Sequence, residues 1–180
     1  LDTIIKACTI IQDKIPDTQF CLAQSPNISD EYLNEVLDGT GCRNKLNLKI
    51  LKNANYELLS GSDFLILASG TVTLEAAIYQ TPMLLTYKSY WIAYYLYLLL
   101  RYLPWLGLPN IILGKEVIPE LLQTKSKPDL IANTAIKLIE DGPERTKMLS
   151  ELETIQEKLT NRVAPTRVAE IINKELIREG

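Results

Sequence analysis

The stretch Asp63-Phe64-Leu65-Ile66-Leu67-Ala68-Ser69-Gly70-Thr71-Val72-Thr73-Leu74-Glu75 decides the fold. Its first half is a short apolar run of the kind that forms a buried strand. Its second half passes through small residues into a helical pattern. A turn of this type at the carboxyl end of a sheet leaves the first helical N–H groups facing outward, where they attract a phosphate or another anion. Glu75 lies too far along the helix to cap it. A carboxylate there can accept hydrogen bonds from the hydroxyls of a ligand whose phosphates rest on the helix end, as a nucleotide ribose would offer. A plainer reading fits the same residues: Ser or Thr before a helix is an N-cap, and an early Glu favours the helix dipole. These residues alone leave both readings open.

Working outward, the same strand-then-helix alternation recurs. Leu1, Ile4, Ile5, Cys8, Ile11 and Ile15 recur at helical spacing, predicting a helix from about Asp2 to Ile15 that ends before Pro16. It has no capping sequence, a pattern that predicts a strand or domain before Leu1. A strand at Thr18 to Ala23 follows, then a helix at Ser29 to Leu37, a turn at Gly39 to Gly41, a strand at Leu46 to Leu51, and a helix at Asn53 to Leu59 with Gly61 as its left-handed terminator. After the central stretch comes a strand at Pro82 to Tyr87. Beyond Asn110 to Leu113 the expectation is almost entirely helical, over Pro128 to Glu140, Pro143 to Leu159 and Pro165 to Ile177, each with Pro near its start. Strands and helices alternating at this spacing imply right-handed crossovers. The expected fold class is α/β, a Rossmann-like doubly wound parallel sheet with a helical C-terminal tail. Residues 1–142 are assigned to the sheet domain and 143–180 to the tail. Ligands of such sheets bind beyond the carboxyl ends of the strands, where Ser69, Gly70 and Thr71 lie.

Composition narrows the chemistry. The 180 residues, 47% of them hydrophobic, are enough for one domain with a sizeable core, and a net charge of −3 provides no basic face for nucleic acid. Three widely spaced cysteines, without a C-x-x-C pair, point to neither a zinc site nor a disulfide framework; a reducing compartment fits best. Histidine is absent, which removes the Ser-His and Cys-His nucleophile arrangements and the commonest general base. No metal site is expected. No secretory signal opens the sequence.

Between Lys88 and Arg101, the residues Ser89 to Leu100 carry no charge and are rich in Tyr and Trp. A bilayer-spanning helix needs roughly 20 apolar residues, so this run is too short to cross. Two readings stand side by side. One is a helix buried in the core. The other is a lipid-facing patch or acyl-chain pocket, because Tyr and Trp favour the headgroup level and the flanking cations favour anionic lipid. On the second reading Trp91, Tyr94 and Tyr95 are the contact residues, within a surface running from Ser89 to Leu106.

Four blocks then combine: Ser-Gly-Thr-Val-Thr-Leu-Glu (69–75), Pro-Met-Leu-Leu-Thr-Tyr-Lys (82–88), Leu-Pro-Asn-Ile-Ile-Leu-Gly (108–114) and Val-Ile-Pro-Glu-Leu-Leu-Gln (117–123). In order and spacing they resemble lipid-A-disaccharide synthase. The resemblance implies the C-terminal, donor-binding half of an inverting glycosyltransferase of the two-domain GT-B arrangement. Such an enzyme transfers a 2,3-diacylglucosaminyl group from UDP to diacylglucosamine 1-phosphate in lipid A biosynthesis. It further implies that Ser69, Gly70 and Thr71 lie by the diphosphate, that Glu75 accepts from the ribose, that Asn110 faces the donor from a loop, and that Gln123 ends the block closing the site. The UDP-sugar is a substrate, and no cofactor is expected. The catalytic base and the family's Gly-Ser-Arg loop would lie in the N-terminal domain and the segment before Leu1. The expected partners are that domain, the donor UDP-2,3-diacylglucosamine, the lipid acceptor, the membrane surface and, as one option, a second copy of the chain. The implied location is cytoplasmic, peripheral to the inner membrane. Two alternatives remain: another UDP-sugar enzyme of the GT-B type, or a non-catalytic lipid-binding or interaction module with the same half fold.

Overall fold

The computed structural model describes residues 1–68, 70–91, 103–160 and 173–174. Helix α1 (Asp2–Lys14) buries Ile5, Ala7, Cys8 and Ile11 along one stripe, with Asp2 at its positive end and Lys14 at its negative end. Strand β1 (Phe20–Gln24) follows. Helix α2 (Asp30–Gly39) starts at Ser29, whose hydroxyl accepts from the Tyr32 N–H at 3.2 Å. Then come β2 (Leu48–Lys52), α3 (Asn55–Gly61), β3 (Leu65–Leu67), α4 (Val72–Ile78) and β4 (Met83–Tyr87).

The second half holds α5 (Leu108–Leu113), β5 (Glu120–Leu122), a 3-10 turn at Gln123–Lys125, α6 (Pro128–Ile139) and α7 (Pro143–Thr160). Helix α5 begins with Pro in its first turn and stops at Gly114, which takes the left-handed conformation (φ +66°) that glycine adopts without a Cβ penalty.

All pairing among the described strands is parallel. Strand β1 lies beside β2 with Phe20 opposite Leu48. Strand β4 lies between β3 and β5, with Leu67 opposite Leu85 and Tyr87 opposite Leu122. Parallel neighbours require crossovers, and here the crossovers are helices that cover both faces. Strand β4 shows this residue by residue. Leu84 points into a cluster with Ala7 and Ile11 of α1 and Ile131 and Ala135 of α6. Met83 and Leu85 point the other way, against Ala76 and Ala77 of α4 and Met148, Leu152 and Ile155 of α7. All three are fully buried, so β4 reads as a continuous apolar run, as a strand covered on both faces does. The fold is α/β, with the parallel sheets and helical cover of a Rossmann-like half.

Three expectations need correction or placement. Strand β5 falls in a region read as helical. It is three residues long, follows Pro119 and begins with a charged residue, so it lacks both the length and the alternation that mark a strand. Gly61 is the last residue of α3, followed by extended Ser62, and does not terminate the helix in a left-handed turn. The helix expected over Pro165 to Ile177 lies outside the described residues apart from 173–174, and Ser69, Tyr94 and Tyr95 lie outside them as well.

Candidate functional site

The carboxyl ends of β3, β4 and β5 meet at one edge of the sheet. The register there brings the turn at Gly70 and Thr71, the Tyr87–Ser89 segment and Gln123 to the same rim. Gly70 has φ +127°, a backbone conformation that residues with a Cβ rarely adopt, although the space around its Cα is open. The requirement for glycine is therefore conformational and not steric.

The turn is braced from inside. Thr73, fully buried, donates its hydroxyl to the Gly70 carbonyl at 2.9 Å, and its N–H reaches the same oxygen at 3.3 Å. Thr71 stands at the N-cap position with an exposed side chain that makes no capping bond. The N–H groups of Thr71 and Val72 have no partner among the described residues. The capping alternative for Thr71 thus fails: neither its hydroxyl nor the two N–H groups are engaged by another described residue. Glu75 lies in the first turn of α4, half-buried, and its carboxylate has no hydrogen-bond or ion-pair partner among the described residues.

Asn110 takes a different position from the one expected. It sits inside α5, fully buried, with its amide turned into the protein. Its Oδ1 accepts from the N–H groups of Val117 (2.6 Å) and Ile118 (2.9 Å), and its Nδ2 donates to the Ile118 carbonyl (2.9 Å) and to Glu120 Oε1 (2.8 Å). Both donors and both acceptor positions are in use, which leaves none to face a donor from a loop. Gln123 is also buried, in a left-handed conformation (φ +49°), and its amide grips Ser89. Glu120 is the residue that sequence reasoning passed over. Its carboxylate accepts from the N–H groups of Leu106 (2.9 Å) and Gly107 (2.9 Å) as well as from Asn110. Its position ten residues after Asn110 carries no local signal, because the two meet only once α5 packs beside β5.

The aromatic patch lies close by. Tyr87 (45%), Tyr90 (89%) and Trp91 (52%) are exposed at the end of β4, so the described part of this segment is surface and not core. Among the described residues no helix is long and apolar enough to cross a membrane, and no cluster of metal-ligating side chains occurs. The buried thiol of Cys8 is pushed up to about 12 by desolvation, which makes it inert as a nucleophile.

With this geometry in view, the comparisons with known proteins are decisive. The sequence model of the lipid-A-disaccharide synthetase family matches residues 1–174. The chain belongs to the lipid-A-disaccharide synthase family. A lipid-A-disaccharide synthase of Persephonella marina is 35% identical over 178 residues, covering 98% of this chain and 46% of the relative. One of a Sulfurihydrogenibium species is 33% identical over 186 residues, covering 100% and 48%. One of Methylobacillus flagellatus is 30% identical over 167 residues, covering 88% and 42%. The chain spans about half the length of the curated relatives it matches. The β3–β5 edge lies within the region matched to the family.

Proposed function

We propose that this chain is the donor-binding half of a glycosyltransferase that moves a 2,3-diacylglucosaminyl group from UDP to diacylglucosamine 1-phosphate. The observation that carries the reading is Glu75. It is a half-buried carboxylate one helical turn beyond a glycine turn with φ +127°, and neither it nor the N–H groups of Thr71 and Val72 have a partner among the described residues. A carboxylate held in that state is matched by paired ligand hydroxyls such as those of a ribose.

In this reading the diphosphate lies across Ser69, Gly70 and Thr71. The N–H groups of Thr71 and Val72 and the Thr71 hydroxyl donate to its oxygens. Donors fixed before the reaction stabilise the negative charge that develops on UDP as the glycosidic bond breaks, and they need no reorganisation to do so. Glu75 fixes the ribose, and through it the angle at which the diphosphate enters. Asn110 holds the backbone of Val117 and Ile118 and Gln123 holds Ser89, and neither is assigned a contact with UDP. The base that activates the acceptor hydroxyl belongs to the facing domain, so residues 1–180 alone are expected to show no turnover. The exposed Tyr87, Tyr90 and Trp91 supply a surface suited to the headgroup level of a membrane, and Tyr94 and Tyr95 continue the same sequence segment. Cytoplasmic docking on the inner membrane, with a second copy of the chain as a further partner, completes the reading.

Calorimetric titration of UDP into the full-length protein tests the site. Glu75→Ala is expected to weaken UDP by about 1–3 kcal/mol, the loss associated with removing a charged, desolvated acceptor. Equal affinity of wild type and variant would show that the ribose is held elsewhere.

A further inference from the structure

The connection from β4 to α5 runs from Lys88 to Gly107, and its described ends are fastened to the first residue of β5 and to the residue directly after β5. At its start, Gln123 grips Ser89 on three sides. The Gln123 Oε1 accepts from the Ser89 N–H at 3.2 Å, and Nε2 donates to the Ser89 carbonyl and hydroxyl, each at 3.1 Å. At its end, Glu120 accepts from the N–H groups of Leu106 and Gly107, at 2.9 Å each, and from the Asn110 amide. Glu120 opens β5 and Gln123 directly follows it.

Neither fastening is incidental. Gln123 keeps a left-handed backbone (φ +49°) that is unfavourable for a residue with a Cβ, and the side chain holding Ser89 is buried. At the other end the backbone approaches the carboxylate so closely that a Cβ on Gly107 would lie 3.2 Å from Glu120 Oε1 and 3.0 Å from Ile118 Cδ1. Among the described residues Glu120 has no cation partner, and its carboxylate accepts there from the N–H groups of Leu106 and Gly107 and from the Asn110 amide. Strand β5 pairs with β4, whose carboxyl end leads into the exposed Tyr87, Tyr90 and Trp91, while Leu103, also exposed, lies just before the Glu120 contact.

We propose that Glu120 and Gln123 are positioning residues. They form a bracket that holds the exposed apolar ends of this connection in register with the carboxyl edge of the sheet, and so set where an acyl-chain-bearing substrate meets the nucleotide site. The proposal rests on the donor-half reading above and goes beyond it by assigning acceptor placement to two side chains that touch neither substrate.

The test uses the full-length enzyme, with saturating UDP-2,3-diacylglucosamine and varied diacylglucosamine 1-phosphate in detergent micelles. Glu120→Ala and Gln123→Gly are each expected to raise the acceptor KM by about tenfold or more while kcat changes by less than about threefold. UDP affinity by titration should stay at the wild-type value. Glu120→Gln keeps an oxygen facing Leu106, Gly107 and Asn110, and is expected to restore the KM to within about threefold of wild type. Gln123→Gly accepts the left-handed backbone without strain, so it carries the test if Glu120→Ala does not fold. An unmoved acceptor KM in a folded Gln123→Gly variant, a fall in kcat at constant KM, or failure of Glu120→Gln to restore the KM would each overturn the bracket. Failure of the wild-type enzyme to bind UDP would instead overturn the donor-site reading, independently of the acceptor measurements.

Discussion

Two carboxyl edges in this molecule are built alike and differ in how their polar groups are engaged. At the end of β1 and β2, a cleft of about 280 Å3 is lined by Gln24, Ser29, Asp30 and Lys52 among others, at the start of α2. Gln24, Ser29, Asp30 and Lys52 are all engaged within the chain. Gln24 Nε2 donates to the Ile28 carbonyl and to Asp30, each at 2.8 Å, Lys52 pairs with Asp30 at 2.6 Å, and Ser29 caps the helix. At the end of β3, β4 and β5, Thr71 caps nothing and Glu75 has no partner among the described residues. The two edges share strand ends followed by helices; what separates them, and what the proposed donor site rests on, is polar groups left without a partner among the described residues.

The strongest way to break this contrast is Gly70→Val. A β-branched residue cannot adopt φ +127° without strain, and because no described residue crowds the position the effect expected is conformational. It should lower stability by about 2–3 kcal/mol in urea unfolding of the full-length protein, and UDP binding should fall with it. Stability and affinity both at wild-type values would mean that the turn does not need glycine.

A smaller effect is expected from Gln24→Ala at the other edge. This side chain is buried, and its loss leaves the Ile28 carbonyl without its donor, at a cost of about 1–2 kcal/mol in urea unfolding. UDP affinity should not change. A parallel loss of UDP binding would show that the β1–β2 edge belongs to the same site and would erase the distinction.

The smallest effect sharpens the contrast through pH. Lys52, followed by Gln24, holds the Asp30 carboxyl below its ordinary value of 3.8. A group whose folded pKa is depressed contributes stability above its unfolded pKa, and that contribution is lost as pH falls through the folded value. The stability advantage of wild type over Asp30→Asn should therefore be present at neutral pH and shrink below about pH 4, as followed by urea midpoints. Because Asp30 is exposed the difference should be slight and should fade in salt. A difference that grows on acidification would contradict the pairing.

Much of this was legible in one dimension. The run from Asp63 to Glu75 announces strand, turn and helix because an apolar run, a glycine and a helical pattern follow one another without interruption. The alternation on either side implies parallel pairing because a helical crossover returns the chain in the same direction. The role of Asn110 was not legible. Asn after Pro is a common turn pair, and nothing local says that its amide will meet the backbone of Val117 and Ile118 and the carboxylate of Glu120. Strand β5 was hidden for a related reason: three residues after a proline become a strand only because β4 is there to receive them.

The sequence by itself determined the α/β class, the position of the glycine turn and the family, since each rests on residue order along the chain. The tertiary structure alone decided which polar groups remain free and which are consumed. Satisfaction of a buried donor or acceptor depends on partners brought from distant positions, such as Glu120 to Leu106 or Gln123 to Ser89, and hydrogen bonds form over about 3 Å in space whatever the separation in sequence.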